Sequence, residues 1–230
     1  MRYFFLLIWC SFTAVFAAHV NDNNLNQFWW DAHYNVPINN DIRMLLETQW
    51  RYGQGAGTLF FYYFHASFLF PVNKWLGIAP GYRQQYDLRP QRVWKPAYDP
   101  FIDVYIKFSV HDWKIDNRLR GQYYWFANGP NLWLGRWRIS VRTPWIIGKG
   151  GLNPLVENEI LLLEYYGFQE NRFTIGADVQ VAHNTRGMLL YLSRIQYVPN
   201  GLFLTSTAQK IIQDRWRYQN CVWIKLTYSY

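Results

Sequence analysis

Apolar and polar side chains alternate along much of this chain with a period of two, the pattern of strands that have one greasy face and one polar face. Between residues 41 and 52, Ile42, Met44, Leu46, Thr48, Trp50 and Tyr52 share one face, and Arg43, Glu47, Gln49 and Arg51 share the other. Between residues 102 and 110, Ile102, Val104, Ile106, Phe108 and Val110 oppose Asp103, Tyr105, Lys107 and Ser109, with His111 following on the polar face. Leu119, Tyr123 and Trp125 oppose Arg118, Arg120, Gln122 and Tyr124, while Trp133, Trp137, Ile139 and Val141 oppose Arg136, Arg138, Ser140 and Arg142. Phe173, Ile175, Ala177, Val179 and Val181 oppose Arg172, Thr174, Asp178 and Gln180. The chain ends in the same register, with Val222, Ile224, Leu226, Tyr228 and Tyr230 alternating with Lys225, Thr227 and Ser229. Turn-forming residues fall at 37–41, 53–57, 71–74, 128–131, 148–154, 184–187 and 199–201.

This pattern predicts an all-β fold, an antiparallel transmembrane β-barrel over residues 27–230. Twelve strands are expected, with ten as the next even count, because single-chain bacterial barrels have even numbers. Residues 202–207 read either as a strand or as part of a long loop. In a soluble sandwich the aromatic faces would form a core and the polar faces would meet water. Arginine dominates the polar faces here, and its planar fork suits dense networks in a confined interior. That favours the reverse assignment, with aromatics toward lipid and arginines inside.

Composition supports the membrane assignment. Half the residues are apolar and one-fifth aromatic, with 13 Trp, 18 Tyr and 16 Phe, yet mean hydropathy is −0.22. Beyond the N-terminus no apolar run is long enough for a helical span, whereas barrel strands need only about 9–11 alternating residues with aromatics at both interfaces. At the N-terminus, Arg2 precedes an apolar run and small residues stand at Val15 and Ala17, which reads as a signal peptide over residues 1–17, followed by a polar segment over 18–26. A membrane anchor would need about 20 apolar residues, more than this run supplies. Cys10 would be lost with the signal, leaving Cys221 with no intramolecular disulfide partner. The strand ending at Tyr230, at Val222, Ile224, Leu226, Tyr228 and Tyr230, looks like the C-terminal signal read by the outer-membrane barrel-insertion machinery.

The arginine rows carry a resemblance. Gly81, Tyr82 and Arg83 after Trp75, then Arg118, Leu119 and Arg120, Arg136, Trp137 and Arg138, Glu159, Arg172 with Gly176, and a tyrosine-bearing strand at Tyr191 occur in an order and spacing similar to the bacterial domain of unknown function 2490. The resemblance implies an outer-membrane barrel and supplies no activity. This chain has Gln122 where the family tends to place a glutamate, which removes any ion pair expected there.

The expected lumen holds Arg43, Arg51, Arg83, Lys107, Arg118, Arg120, Arg136, Arg138, Arg142, Arg172 and Arg194 against Glu47, Asp103, Glu157, Glu159 and Asp178. If water fills it, the positive excess would favour small anions, giving a narrow anion-favouring porin. If the side chains fill it, the same residues plug the barrel through salt bridges. An outer-membrane lipid-acyl hydrolase is a third reading, with His65 as base, Ser67 as nucleophile and Glu47 as orienter, although strand side chains at i and i+2 stand about 7 Å apart. His111 and His183 have no partner at metal-ligand spacing, so no metal or other cofactor is expected. The formal charge of +8 does not indicate nucleic acid, because basic and aromatic residues fall on opposite faces instead of sharing one. Outer-membrane lipids are the expected surroundings, and Arg89, Arg92 and Lys95, or Lys210, Arg215 and Arg217, could meet lipopolysaccharide phosphates.

Overall fold

The computed structural model describes residues 26–53, 58–88, 93–126, 131–148, 150–164, 167–204 and 210–230, with side chains throughout except at 26 and 198–217. The predicted signal peptide and most of the polar segment lie outside these residues. Eleven strands are described: β1 (Asn26–Pro37), β2 (Arg43–Gly53), β3 (Thr58–Pro71), β4 (Leu76–Leu88), β5 (Trp94–Val110), β6 (Trp113–Phe126), β7 (Leu132–Arg142), β8 (Asn153–Leu163), β9 (Gly167–Ala182), β10 (Thr185–Leu204) and β11 (Lys210–Ser229). Each pairs antiparallel with its sequence neighbour, and β1 pairs with β11 to close the barrel. Along the closed wall every strand is paired on both sides, and the end of the β10–β11 hairpin, past Gln196 and before Asn220, has no second strand partner among the described residues.

The eleven described strands correct the expected twelve. Pro199, Asn200 and Gly201 have the composition of a turn, but β10 continues through them with a register shift between Val198 and Gly201, and Leu202–Leu204 pair onward with β11. An odd count makes the closing pair parallel, so Asn26 lies beside Asn220 and Asn35 beside Ser229. On the inner side of this seam the Trp29 and Trp223 rings meet edge to face at 5.5 Å.

Short turns collect at the rim where the chain ends. The β5–β6 hairpin turns through His111 and Asp112 alone, both at positive φ, which matches the twist of two-residue hairpins. Asn73 Oδ1 accepts hydrogen bonds from the Trp75 and Leu76 amides at 2.9 Å each, an Asx turn that joins β3 to β4. Only the β7–β8 connection over 143–152 is long at this rim among the described residues.

Two glycines predict opposite outcomes. A Cβ at Gly81 would press on the Phe101 ring and lie 2.5 Å from Ser67 Cβ and 2.7 Å from the Ala66 carbonyl oxygen, whereas one at Gly121 meets nothing within 4 Å. Gly81→Ala is expected to lower stability by about 1–3 kcal/mol. Gly121→Ala should leave the unfolding midpoint unchanged or slightly raised. Equal midpoints for the two variants in thermal unfolding would refute this packing.

Candidate functional site

Alternation and register send the two kinds of side chain to opposite sides of the wall. On the outward positions of β1–β9, from Phe28 to Val181, no Asp, Glu, Lys or Arg occurs among the described residues. Aromatics crowd the strand ends on that surface. Tyr62 stacks on Tyr86 at 4.7 Å and Tyr123 packs against Trp133 at 5.0 Å near the rim opposite the chain end, while Tyr34 and Tyr228 meet at 6.3 Å near the rim where the chain ends. An apolar groove of about 370 Å³, lined by Tyr34, Leu46, Phe64, Ala66 and Tyr82 among others, runs along the wall of β1–β4.

The interior is crowded with charge. Glu159 of β8 is 5% exposed and accepts from three arginines on three other strands. These are Arg118 Nη2 at 2.7 Å, Arg136 Nη2 at 2.8 and 2.9 Å, and Arg172 Nη1 at 2.9 Å. Asp103 takes both Nε and Nη2 of Arg120, at 2.6 and 2.7 Å, and also the Tyr105 hydroxyl at 2.9 Å. Arg83 donates to Asp99 through Nε at 2.8 Å and to the Tyr124 hydroxyl at 3.0 Å. Glu170 is shared by Arg172 and by Arg194 Nη2 at 2.6 Å. Two-oxygen guanidinium contacts of this kind are the strong, charge-assisted sort.

The remaining predicted residues sit at the margins of this network. Arg138 stands 3.8 Å from Glu157, Arg142 3.1 Å from Asp178, and the Tyr63 hydroxyl donates to Glu47. Arg43 is half-buried, and Lys107 is exposed at the short-turn rim, not enclosed. In β11 Trp223 and Lys225 are buried on the inner side and Val222 is exposed, as is Tyr230 just past the strand. Ile224, expected to be open to the outside, is only 6% exposed, since Trp30 and Leu189 flank it in register. Lys95 is exposed; Arg89 and Arg92, and the side chains of Lys210, Arg215 and Arg217, lie outside the described residues.

Arg83, Arg118, Arg120, Arg136, Arg138, Glu159 and Arg172, which form one spaced series in the sequence, all line the same internal void of about 30 Å³. That is room for about two water molecules. The family profile described as "Protein of unknown function (DUF2490)" matches residues 26–207, which span every one of these positions. The chain belongs to the DUF2490 family. A search of curated proteins finds no match.

Within this DUF2490 barrel, the Gln122 departure has a structural cost. Its side chain is buried and neither Oε1 nor Nε2 has a hydrogen-bond partner. The His65–Ser67 pair does form, because His65 Nε2 reaches to 3.3 Å from Ser67 Oγ despite the i, i+2 spacing. It lacks the rest of a hydrolytic apparatus: Ser67 is 0% exposed and His65 Nδ1 has no partner, so no carboxylate orients the ring. Phe101 instead packs on the imidazole at 4.5 Å.

Residues that sequence reasoning missed also enter the interior. Asp31, His33, Asp99 and Glu170 all point inward, and ligand atoms of Asp31, His33 and Glu47 lie within 4.8 Å of one another. This trio has the donor types of a divalent-cation site. The arginines around the same void oppose a bound cation. Glu170 was visible in principle, since it precedes Arg172 by two and shares its face. Asp99 is hard to read from sequence because it stands between Pro96 and Pro100, residues that disfavour a central strand; β5–β6 pairing is interrupted between Tyr98–Trp125 and Phe101–Gln122, around Pro100.

Proposed function

We propose that this DUF2490 member is an outer-membrane β-barrel whose lumen is sealed by its own ion-pair network, so that it works as a membrane-embedded structural or scaffolding barrel and not as a solute channel. The carrying observation is the sorting of charge: none on the described outward positions of β1–β9, and a dense arginine–carboxylate lattice inside. Soluble strands would expose charges or prolines on such a surface to stay monomeric. A bilayer supplies apolar surroundings that suit it, with aromatics at both interfaces and acyl chains able to lie in the groove between Tyr34 and Tyr82. The signal peptide, the C-terminal insertion strand and contacts with lipopolysaccharide belong to this reading.

The small void supports a plug over a pore. An anion-favouring porin would need a continuous water path, and the arginines that would select the anion are instead engaged with Glu159, Asp103, Asp99 and Glu170. Refolded protein should show the heat-dependent gel mobility of a membrane barrel and no single-channel steps in planar bilayers. Reproducible anion-selective steps would overturn the sealed lumen, and solubility without detergent would overturn the membrane assignment.

A further inference from the structure

The charges around the internal void do not balance. Eight cationic side chains and four carboxylates line it. Bringing in Asp99, Asp103 and Glu170, which pair with lining arginines, and Arg194, which shares Glu170, gives nine cations against seven carboxylates. Two of these nine cations, Arg51 and Lys225, have no carboxylate within ion-pair distance among the described residues, and Arg51 Nε donates to the neutral Gln49 Oε1 at 2.5 Å. Their positions are related. Arg51 lies over the Trp29 ring at 3.8 Å, and Lys225 Nζ lies over the Trp223 ring at 3.8 Å. Those two indoles are the edge-to-face pair of the seam, 5.5 Å apart.

A third feature points to the same place. Trp223 is 7% exposed, lines the void, and its Nε1–H has no hydrogen-bond partner. By contrast the Trp29 Nε1–H donates to Gln27 Oε1 at 2.8 Å. The nearby carboxylate of Asp31 is committed elsewhere, accepting from Gln49 Nε2 at 2.7 Å and facing His33 at 3.4 Å. Buried donors and buried charges without partners are costly in a medium of low dielectric.

We infer that the sealed lumen binds one small monatomic anion, a halide such as chloride, held by Arg51, Lys225 and the indole N–H of Trp223. A single negative charge in the void that all three side chains line supplies the counter-charge that Arg51 and Lys225 lack and an acceptor for the unpaired indole donor. The void of about 30 Å³ admits a monatomic ion and leaves no room for the four oxygens of phosphate or sulfate beside the side chains. The ion is structural, in effect a removable counter-charge built into the plug. This rests on the sealed-barrel reading, since an open lumen would supply mobile anions to the same cations without a defined site.

The test uses the full chain refolded into detergent or vesicles in sodium chloride, sodium bromide or sodium gluconate at one ionic strength, with the thermal midpoint of the folded band as readout. Linkage requires the midpoint to rise with halide concentration, because the ion binds only the folded state. Gluconate, too large for the void, should give no such rise. Lys225→Met should shift the half-effective halide concentration upward by at least tenfold. Trp223→Phe, which keeps the ring and removes only the donor, should shift it in the same direction and covers the case in which Lys225→Met fails to fold. Equal midpoints in chloride and gluconate, or variants with the wild-type halide response, would overturn the site. Neither result would open the lumen, which bilayer recordings read independently.

Discussion

Glu159→Gln is expected to destabilise the barrel by about 3–5 kcal/mol, the usual cost of breaking a buried ion pair while leaving its partner charged. Here Arg118, Arg136 and Arg172 all converge on the one carboxylate. The amide keeps the size and an acceptor oxygen but removes the charge that holds three mutually repelling guanidiniums together. The reverse change should be milder. Arg136→Gln leaves Glu159 with two arginines and relieves a like-charge contact, so its cost should fall at least about 2 kcal/mol below that of Glu159→Gln. Urea unfolding of the refolded protein in vesicles measures both. A Glu159→Gln variant within about 0.5 kcal/mol of wild type, the range of ordinary surface changes, would mean that the network does not seal the interior.

Ile175→Arg tests the outer wall with comparable force. Ile175 lies mid-strand in β9, 51% exposed, with Val156 and Tyr191 as register neighbours. In water, an arginine at so open a position would change stability by no more than about 0.5 kcal/mol. Facing the middle of a bilayer, it should cost about 2–4 kcal/mol, and less toward either rim. Folding yield and urea midpoint in lipid vesicles distinguish these cases. A neutral Ile175→Arg in vesicles would remove the lipid-facing assignment, whatever the fold.

Much of the wall is legible in the sequence because alternation is a local property. Arg118 and Arg120, or Arg136 and Arg138, announce an inward face from a few residues of sequence. The terminal strand likewise shows which side chains share a face, although Ile224 is covered because Trp30 stands beside it across the seam and Leu189 beside it on β10, which only strand pairing determines. Strand number was harder. Pro199 to Gly201 has the composition of a turn, and its place within a bulged strand follows from the partner β11, a tertiary fact that overrides local turn chemistry. The interior was the least legible part. Whether arginines line an open bore or close on carboxylates depends on which strands face one another across the barrel. Nothing local tells Arg118 that Glu159 lies opposite, or that Asp31, His33 and Glu47 will meet.

The parallel seam also bears on the order in which the barrel comes together and falls apart. Every other strand pair is joined by its own connecting turn or loop and can zip from it, but β1 and β11 bring Asn26 beside Asn220 only after nearly the whole chain has been arranged. Contacts of such long sequence separation are reached late, since their loop-closure entropy must be met first. Interactions absent from the transition state act on the rate of opening more than on the rate of forming. The edge-to-face tryptophans Trp29 and Trp223 thus act as a latch: they do little to hasten assembly, and they set how long the finished cylinder stays shut.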